Sequence, residues 1–243
     1  QMDLQSFILK VFPAPYAFAV RPSDSPAARQ RKLAQAVAYH GERIMLAPTH
    51  AATDMINTAA LDWFAPPGSG VEVRSYISTD TVRDPDYDNR YPIRDETMND
   101  IKGGGLPPHV LHLALNMPVM LIRNIDVGLV NGTVLVVVGM YDSHVELQVV
   151  TDGPRQGDTV VMGFMEIVAE RKTTKLAYNF VRRQLPLIPA TCLTINKSQS
   201  LTRRYVGLFL HTPCFAPGQL YTAITRTGAL DGLFLFLANH AAK

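Results

Sequence analysis

The chain has 243 residues, 47% of them hydrophobic and 18% charged, which describes a soluble globular protein with a proper core. That length suits one large domain or a domain with an insert. A formal net charge of +2 does not announce nucleic acid, so any phosphate-binding surface has to come from local clustering. Cys192 and Cys214 are too few for a disulfide framework or a zinc cage, and no apolar run approaches membrane-spanning length.

Residues 1–24 read as an apolar connector packed on the core. The prolines of SFILKVFPAPYAFAV argue against a helix there, and the stretch lacks a clean signal-peptide pattern. The first residue is Gln1 rather than Met, which suggests a fragment or a processed product. A helix follows, with Ser25 as N-cap and Pro26 in the first helical position, and with Leu33, Ala34 and Val37 facing inward. Arg43–Ala47 is a short buried strand. Pro48-Thr49-His50 then turns into a second helix, whose Met55, Ile56, Ala59 and Trp63 share a face. Pro66-Pro67-Gly68 ends that helix, and Val71–Ile77 alternates like a strand. Strand, helix and strand with short links predict a parallel α/β sheet.

The polar stretch Asp80–Asn99 contains Asp84, Asp86 and Asp88 but departs from a calcium loop. Pro85 intrudes, Asn89 takes the glycine position and Asp95 replaces the bidentate Glu, so it reads as an acidic loop. His109 and His112 have no other ligand types clustered with them and read as surface or strand-end residues rather than a metal site. From Val110 to Val168 short strands follow one another without helices, with turn signals at Asn131-Gly132 and Asp152-Gly153, which predicts a small β-barrel. Arg171, Lys172, Lys175, Arg182 and Arg183 then form a basic cluster, a phosphate surface or a solvated loop.

The chemistry concentrates in residues 191–237. Apolar runs at Cys192–Ile195, Tyr205–Leu210 and Leu233–Leu237 enclose two polar knots, Thr194–Ser200 and Gly218–Arg226. A strand ending in Thr-Ile-Asn-Lys-Ser-Gln-Ser sets hydroxyls, amides and one cation where an α/β sheet holds phosphate. GQLYTAITR reads as a short helix with Leu220, Ala223 and Ile224 inward, projecting Arg226 from its last turn toward a phosphate on a neighbouring domain.

TINKSQS followed by GQLYTAITR resembles motifs V and VI of the PIF-family DNA helicases, including the Helitron-type members of superfamily one. RIMLAPTHAATDMIN, VRSYISTDTV, YPIRDETMNDIKGGGLPPHVLHL and PVMLIRNIDVGLVNGTVLVVV match succeeding family blocks, so the likeness runs from Arg43 to Leu237. It implies the family's second RecA-like domain, with a parallel sheet flanked by helices and an SH3-like insert. In domain terms these are residues 1–106 and 181–243 for the RecA-like part and 107–180 for the insert.

By the same resemblance, Arg226 is the arginine finger that reaches the γ-phosphate across the cleft. Gln199 and Ser200 lie near that phosphate, while Gln219 and Tyr221 orient the helix or contact nucleotide. Thr194, Asn196 and Lys197, with Thr49 and His50 from the other edge, hold the phosphates of single-stranded DNA. The family has Gly where Ser200 stands, and a side chain there crowds a phosphate.

No G-x-x-x-x-G-K followed by Ser or Thr occurs, nor a Walker B strand, so this chain is not expected to hydrolyse ATP by itself. ATP and Mg2+ are expected only with an N-terminal P-loop RecA-like domain, on the same or a separate chain. The resemblance implies an intracellular place, nucleus or mitochondrion if the source is eukaryotic. The alternative is a helicase-derived module that binds single-stranded nucleic acid or a protein partner without ATP chemistry.

Overall fold

The computed structural model describes residues 3–13, 18, 20–21, 23–83, 95–101, 105–170, 178–199 and 201–237. Its centre is a four-stranded, wholly parallel sheet in the order β12-β1-β13-β14, made of Cys192–Thr194, Arg43–Ala47, Tyr205–Leu210 and Leu233–Leu237. β1 lies in the middle and is apolar in both directions. Met45 and Ala47 join one core cluster, while Ile44 and Leu46 join another on the opposite face. Burial on both faces explains why β1 and β13 were readable as unbroken apolar runs, whereas β14, at the sheet edge, leaves Leu235 and Leu237 exposed.

Helices cover the sheet. α1 (Leu4–Val11) forms where a connector was expected: Asp3 caps it by accepting from the Ser6 N–H, and it closes at Phe12, immediately before Pro13. The prolines therefore end this helix instead of preventing it. Phe7, Ile8 and Val11 are buried, and Phe7 meets Phe209 and Phe236 with ring centroids 6.3 and 5.3 Å away. α1 can come this close because β13 offers Gly207, where a Cβ would stand 2.4 Å from Val11 Cγ2.

α2 (Pro26–Glu42) begins as expected, with Ser25 accepting from the Ala28 N–H. Ala36 and His40 form its buried line, Leu33 and Val37 pack partly against the core, and Ala34 is exposed. α3 (His50–Phe64) buries Ala52, Thr53, Ile56, Ala60, Trp63 and Phe64. Its face is rotated from the expected one: Met55 is 41% exposed and Ala59 only half-buried, because the helix packs on β12 and β1 together.

The remaining strands are antiparallel. β5 (Pro118–Leu121), β6 (Val134–Met140), β7 (His144–Val149), β8 (Thr159–Gly163) and β11 (Leu187–Pro189) form a five-stranded sheet in the order β11-β5-β6-β7-β8. Gly132, with φ 99°, turns the chain into β6, and Asp152-Gly153 lies between β7 and β8. β2 (Val73–Ile77) pairs with β4 (Val110–Ala114), and β3 (Thr79–Val82), β9 (Met165–Ala169) and β10 (Phe180–Gln184) form a third group with β10 central. Antiparallel pairing thus extends from residue 73 to residue 189 before the chain returns to the parallel sheet at β12.

β10 overturns one expectation. Arg182 does not belong to a basic surface: it is 1% exposed and sits opposite Asp80 in the β10–β3 register. Its Nε and Nη2 donate to the Asp80 carboxylate at 2.9 and 2.7 Å. Nη1 donates to the carbonyls of Ile101 and Pro107, and Nη2 also to those of Met98 and Asn99, at the end of α4 (Asp95–Asn99). Arg183, one residue on, is exposed over the Phe164 ring. Arg171, Lys172 and Lys175, like Asp84, Asp86 and Asp88, lie outside the described residues.

Two consequences can be measured. Arg182→Ala removes six hydrogen bonds and leaves the buried Asp80 carboxylate without its counter-charge, and is expected to cost about 3–5 kcal/mol in urea unfolding. Asp80→Asn, which keeps acceptor geometry but removes the charge, should also destabilise the fold. His40 supplies the second. It is buried beside the rings of Phe12, Tyr39 and Phe64. Burial first, then the charge of Arg43, pushes its pKa from 6.5 down to about 3, with a backbone contact from Asn116 opposing. The folded protein holds His40 neutral while the unfolded chain protonates near 6.5, so this contribution is complete above that pH. It is lost as pH falls from 6.5 toward 3, by about 1.4 kcal/mol per pH unit. Urea midpoints measured across that range should fall, and His40→Leu should flatten the dependence.

Candidate nucleotide and single-strand site

The parallel register sets the site. Ala47 of β1 pairs with Thr194 of β12, so the loops leaving these two strands emerge side by side at the carboxyl edge of the sheet. In open α/β sheets that edge is where ligands bind. From β1 come Pro48, Thr49 and His50. Thr49 is the N-cap of α3, its Oγ1 accepting from the Ala52 N–H at 3.3 Å, and His50 is exposed at the first helical position.

From β12 the chain passes into a 3-10 turn, Ile195–Ser198, rather than extending the strand to Ile195. Ile195 and Ser198 are buried, with the Ser198 hydroxyl donating to the Ile195 carbonyl at 2.7 Å. Thr194 is buried, Asn196 and Gln199 are exposed, and Lys197 is half-buried between them. Burial lowers the pKa of Lys197, and no ion pair to it occurs among the described residues. The structure therefore brings Thr49, His50, Thr194, Asn196 and Lys197 to one edge.

Asn57 holds the two loops in this relation, and nothing in the sequence pattern had singled it out. Its side chain accepts from the Cys192 N–H at 2.8 Å and donates to the carbonyls of Cys192 and Pro189. Cys192 itself is buried, and burial pushes its thiol well up, which makes it a packing residue.

The second knot forms α5 (Gln219–Ile224). Gly218 precedes it at φ 77°, a left-handed backbone that glycine adopts without cost. The buried pair is Gln219 and Ala223; Leu220 is 44% exposed and Ile224 only half-buried. A polar Gln replaces the expected Leu because its amide is fully engaged. Nε2 donates to the Pro48 carbonyl at 3.4 Å, and Oε1 accepts from the Phe215 N–H at 3.2 Å. Tyr221 is 73% exposed and free of the core.

Arg226 follows the helix. Its Nε donates to the Thr222 carbonyl, its Nη2 to the Thr225 hydroxyl, and its Nη1 to the carbonyls of Ser198, Gln199 and Leu201. Ser200 lies outside the described residues. Arg203, a residue that sequence reasoning passed over, sits beneath this arrangement. It is 5% exposed, its backbone bridges Thr227, and its Nη2 has no hydrogen-bond partner among the described residues. Burial lowers its pKa, with the charge of Asp152 opposing. His109 and His112 turn to Ser78 and Ser75 at 2.7 and 2.8 Å, and Arg123 donates to the Ile122 carbonyl, all away from this edge.

A parallel sheet with polar, cation-bearing loops at its carboxyl edge and a large antiparallel excursion defines an α/β architecture with an extensive added β region. The family described as "DNA helicase Pif1, 2B domain" matches residues 96–140. ATP-dependent DNA helicase PIF1 of Homo sapiens is 36% identical over 129 residues, covering 51% of this chain and 19% of that protein. ATP-dependent DNA helicase PIF5 of Trypanosoma brucei brucei (strain 927/4 GUTat10.1) is 41% identical over 61 residues, covering 25% of this chain and 6% of that protein. Among solved structures, Pif1 helicase from Candida albicans superposes with a TM-score of 0.60 at 23% identity, covering 97% of this chain and 54% of that one. Bacteroides Pif1 in complex with ADP-AlF3 and ssDNA gives 0.53 at 18% identity, covering 97% and 50%. Part of the chain is thus similar to PIF1-family helicases, and its fold is that of about half of a solved Pif1 chain. It spans about a fifth of the length of the mammalian relatives it matches. No helix among the described residues is long and apolar enough to cross a membrane.

Asn57→Leu tests the register. It leaves the Cys192 N–H and carbonyl unpaired in a buried place, and is expected to cost about 1–3 kcal/mol by urea unfolding. The same change should speed hydrogen exchange at Cys192 beyond that of β13.

Proposed function

We propose that this chain is the C-terminal motor half of an ATP-dependent DNA helicase. In that reading Thr49, His50, Thr194, Asn196 and Lys197 grip the backbone of single-stranded DNA. Arg226 acts as arginine finger toward ATP and Mg2+ held by a P-loop domain, on the same or another chain. The observation that carries the reading is the Ala47–Thr194 pairing, which sets the two strand-binding loops together with a desolvated, unpaired Lys197 between them. A half-buried ammonium without a carboxylate is costly unless an anion visits it. Gln199, Ser200, Gln219 and Tyr221 belong to the nucleotide side; the two bonds of Gln219 support its orienting role over direct contact.

The RecA-like part is assigned to residues 1–106 and 181–243, and the antiparallel region of 107–180 to the SH3-like insert, whose core is β5 to β8, with β11 of the RecA-like part joining their sheet at one edge. Contacts to the phosphate backbone rather than to bases imply little sequence preference. A role on DNA places the chain in the nucleus or mitochondrion if its source is eukaryotic. The alternative, a module that binds single strands or a protein without ATP chemistry, is favoured by Ser200 standing where the family has Gly.

Fluorescence anisotropy with a labelled single-stranded oligonucleotide across a salt series tests the grip. Binding should weaken as salt rises, and Lys197→Ala should lower the salt slope by about one. Thr49→Ala should weaken binding, while Thr49→Ser, which keeps the helix cap, should not. Unchanged binding in Lys197→Ala rejects the site. Adding a PIF1-family P-loop domain separates the two functions: a motor half yields DNA-stimulated ATPase that falls about 10³-fold or more in Arg226→Ala, and an inactive module yields none.

A further inference from the structure

α5 is tied at both ends to the loops that leave β1 and β12. Its first residue, Gln219, holds the Pro48 carbonyl, and the Arg226 guanidinium just past its last turn holds the carbonyls of Ser198, Gln199 and Leu201. The Arg226 backbone is itself fixed: its carbonyl accepts from the Arg203 N–H at 2.8 Å, the Gly228 N–H donates to the Arg203 carbonyl, and the Thr227 hydroxyl donates to the Arg204 carbonyl. The side chain thus spans from an anchored peptide at 203–204 to the end of the 3-10 turn that carries Asn196 and Lys197. Its acceptors are neutral oxygens, and Nη1 is shared among three of them. A phosphate oxygen makes a bond roughly twice as strong as a neutral acceptor and can displace them.

We infer that Arg226 is a positioning residue for the strand-binding turn as well as a phosphate contact, its carbonyl cradle being a latch that nucleotide opens. While the guanidinium sits in the cradle, the Ile195–Ser198 turn is held against α5 and presents Lys197 and Asn196 to a strand. A phosphate that draws Arg226 out frees the turn and weakens the strand grip. By linkage, a bound strand opposes the withdrawal of Arg226 to the same degree. The inference rests on the proposed roles of Lys197 and Arg226.

The test uses the whole chain without nucleotide, so that a finger acting only on ATP has no effect. Arg226→Lys keeps the charge but cannot span the cradle; Arg226→Gln is a second variant, and melting temperatures establish that both are folded. Exchange is read at the Leu201 amide, which donates to the Ser198 carbonyl inside the latched loop. Both variants should raise it about tenfold, the size expected for one or two lost net hydrogen bonds. Both should also weaken binding of labelled oligo(dT) several-fold, with Lys197→Ala as the reference for the strand site. Unchanged exchange overturns the latch. Faster exchange with unchanged oligo(dT) binding, where Lys197→Ala does weaken it, overturns the coupling and leaves the strand site standing. Faster exchange with no effect from Lys197→Ala either rejects the strand reading, and the coupling falls with it.

Discussion

The buried pair of Arg182 and Asp80 fastens β10 to β3 and to the backbone of residues 98–107. Removing two charges from water costs several kcal/mol per ion, and the mutual attraction offsets this only with near-ideal geometry. That geometry is present: a forked guanidinium on one carboxylate, four carbonyls satisfying its remaining donors, and the Ser78 hydroxyl donating to Asp80 at 2.7 Å. The carbonyls belong to Met98, Asn99, Ile101 and Pro107, at and beyond the end of α4, where a helix leaves its last carbonyls without intrahelical partners, so the guanidinium gives these backbone acceptors hydrogen bonds. Gln184, two residues along the same face of β10, does likewise for the carbonyls of Tyr76, Pro108 and His109. β10 is therefore the seam between the connecting segments and the strands. From that seam the chain runs through β11 into β12 and so enters the parallel sheet from a fixed direction.

This seam matters for the site because β12 is the strand whose register sets the two functional loops together. β12 has only three residues and pairs with β1 alone. Three residues of parallel pairing are weak, and Asn57 supplies what the ladder lacks by closing on both the N–H and the carbonyl of Cys192. The position of Lys197 thus depends on α3 through Asn57 and on β10 through the chain entering β12.

The parts legible in the sequence were those decided by local pattern. β1 and β13 are runs of apolar residues because both faces of a parallel sheet are covered there, and α2 and α3 announce themselves through Ser25-Pro26 and Thr49. The parts that were not legible depend on partners distant in the chain. Arg182 follows a basic stretch and reads as solvated; its partner lies 102 residues away. Gln219 reads as a surface residue beside an apolar Leu220, yet the polar residue is buried, because its amide meets Pro48, 171 positions earlier. α1 was missed because Pro13 and Pro15 were read as breaking the whole stretch, whereas only residues after Phe12 bear their constraint. Periodicity reports which residues can be buried; it does not report which polar residues have found a partner that allows it.

The buried and half-buried cations divide by the same criterion. Arg182 has a carboxylate and is structural. Arg226 has only neutral oxygens as acceptors, Lys197 has no ion-pair partner among the described residues, and Arg203 leaves one buried nitrogen without a bond among them. Burial lowers the pKa of Lys197 and of Arg203, so both positions carry an electrostatic cost in this state, which the charge of Asp152 offsets in part at Arg203. In the proposed function, the contrast between Arg182, satisfied by six hydrogen bonds, and Lys197 and Arg226, which meet no carboxylate among the described residues, favours a ligand that supplies negative charge. The bias is greatest for a ligand with phosphates spaced along a backbone, since the cations lie on two loops and not in one pocket. Affinity then comes from relieving desolvated charge at several points, and release needs only that one loop shift relative to the other.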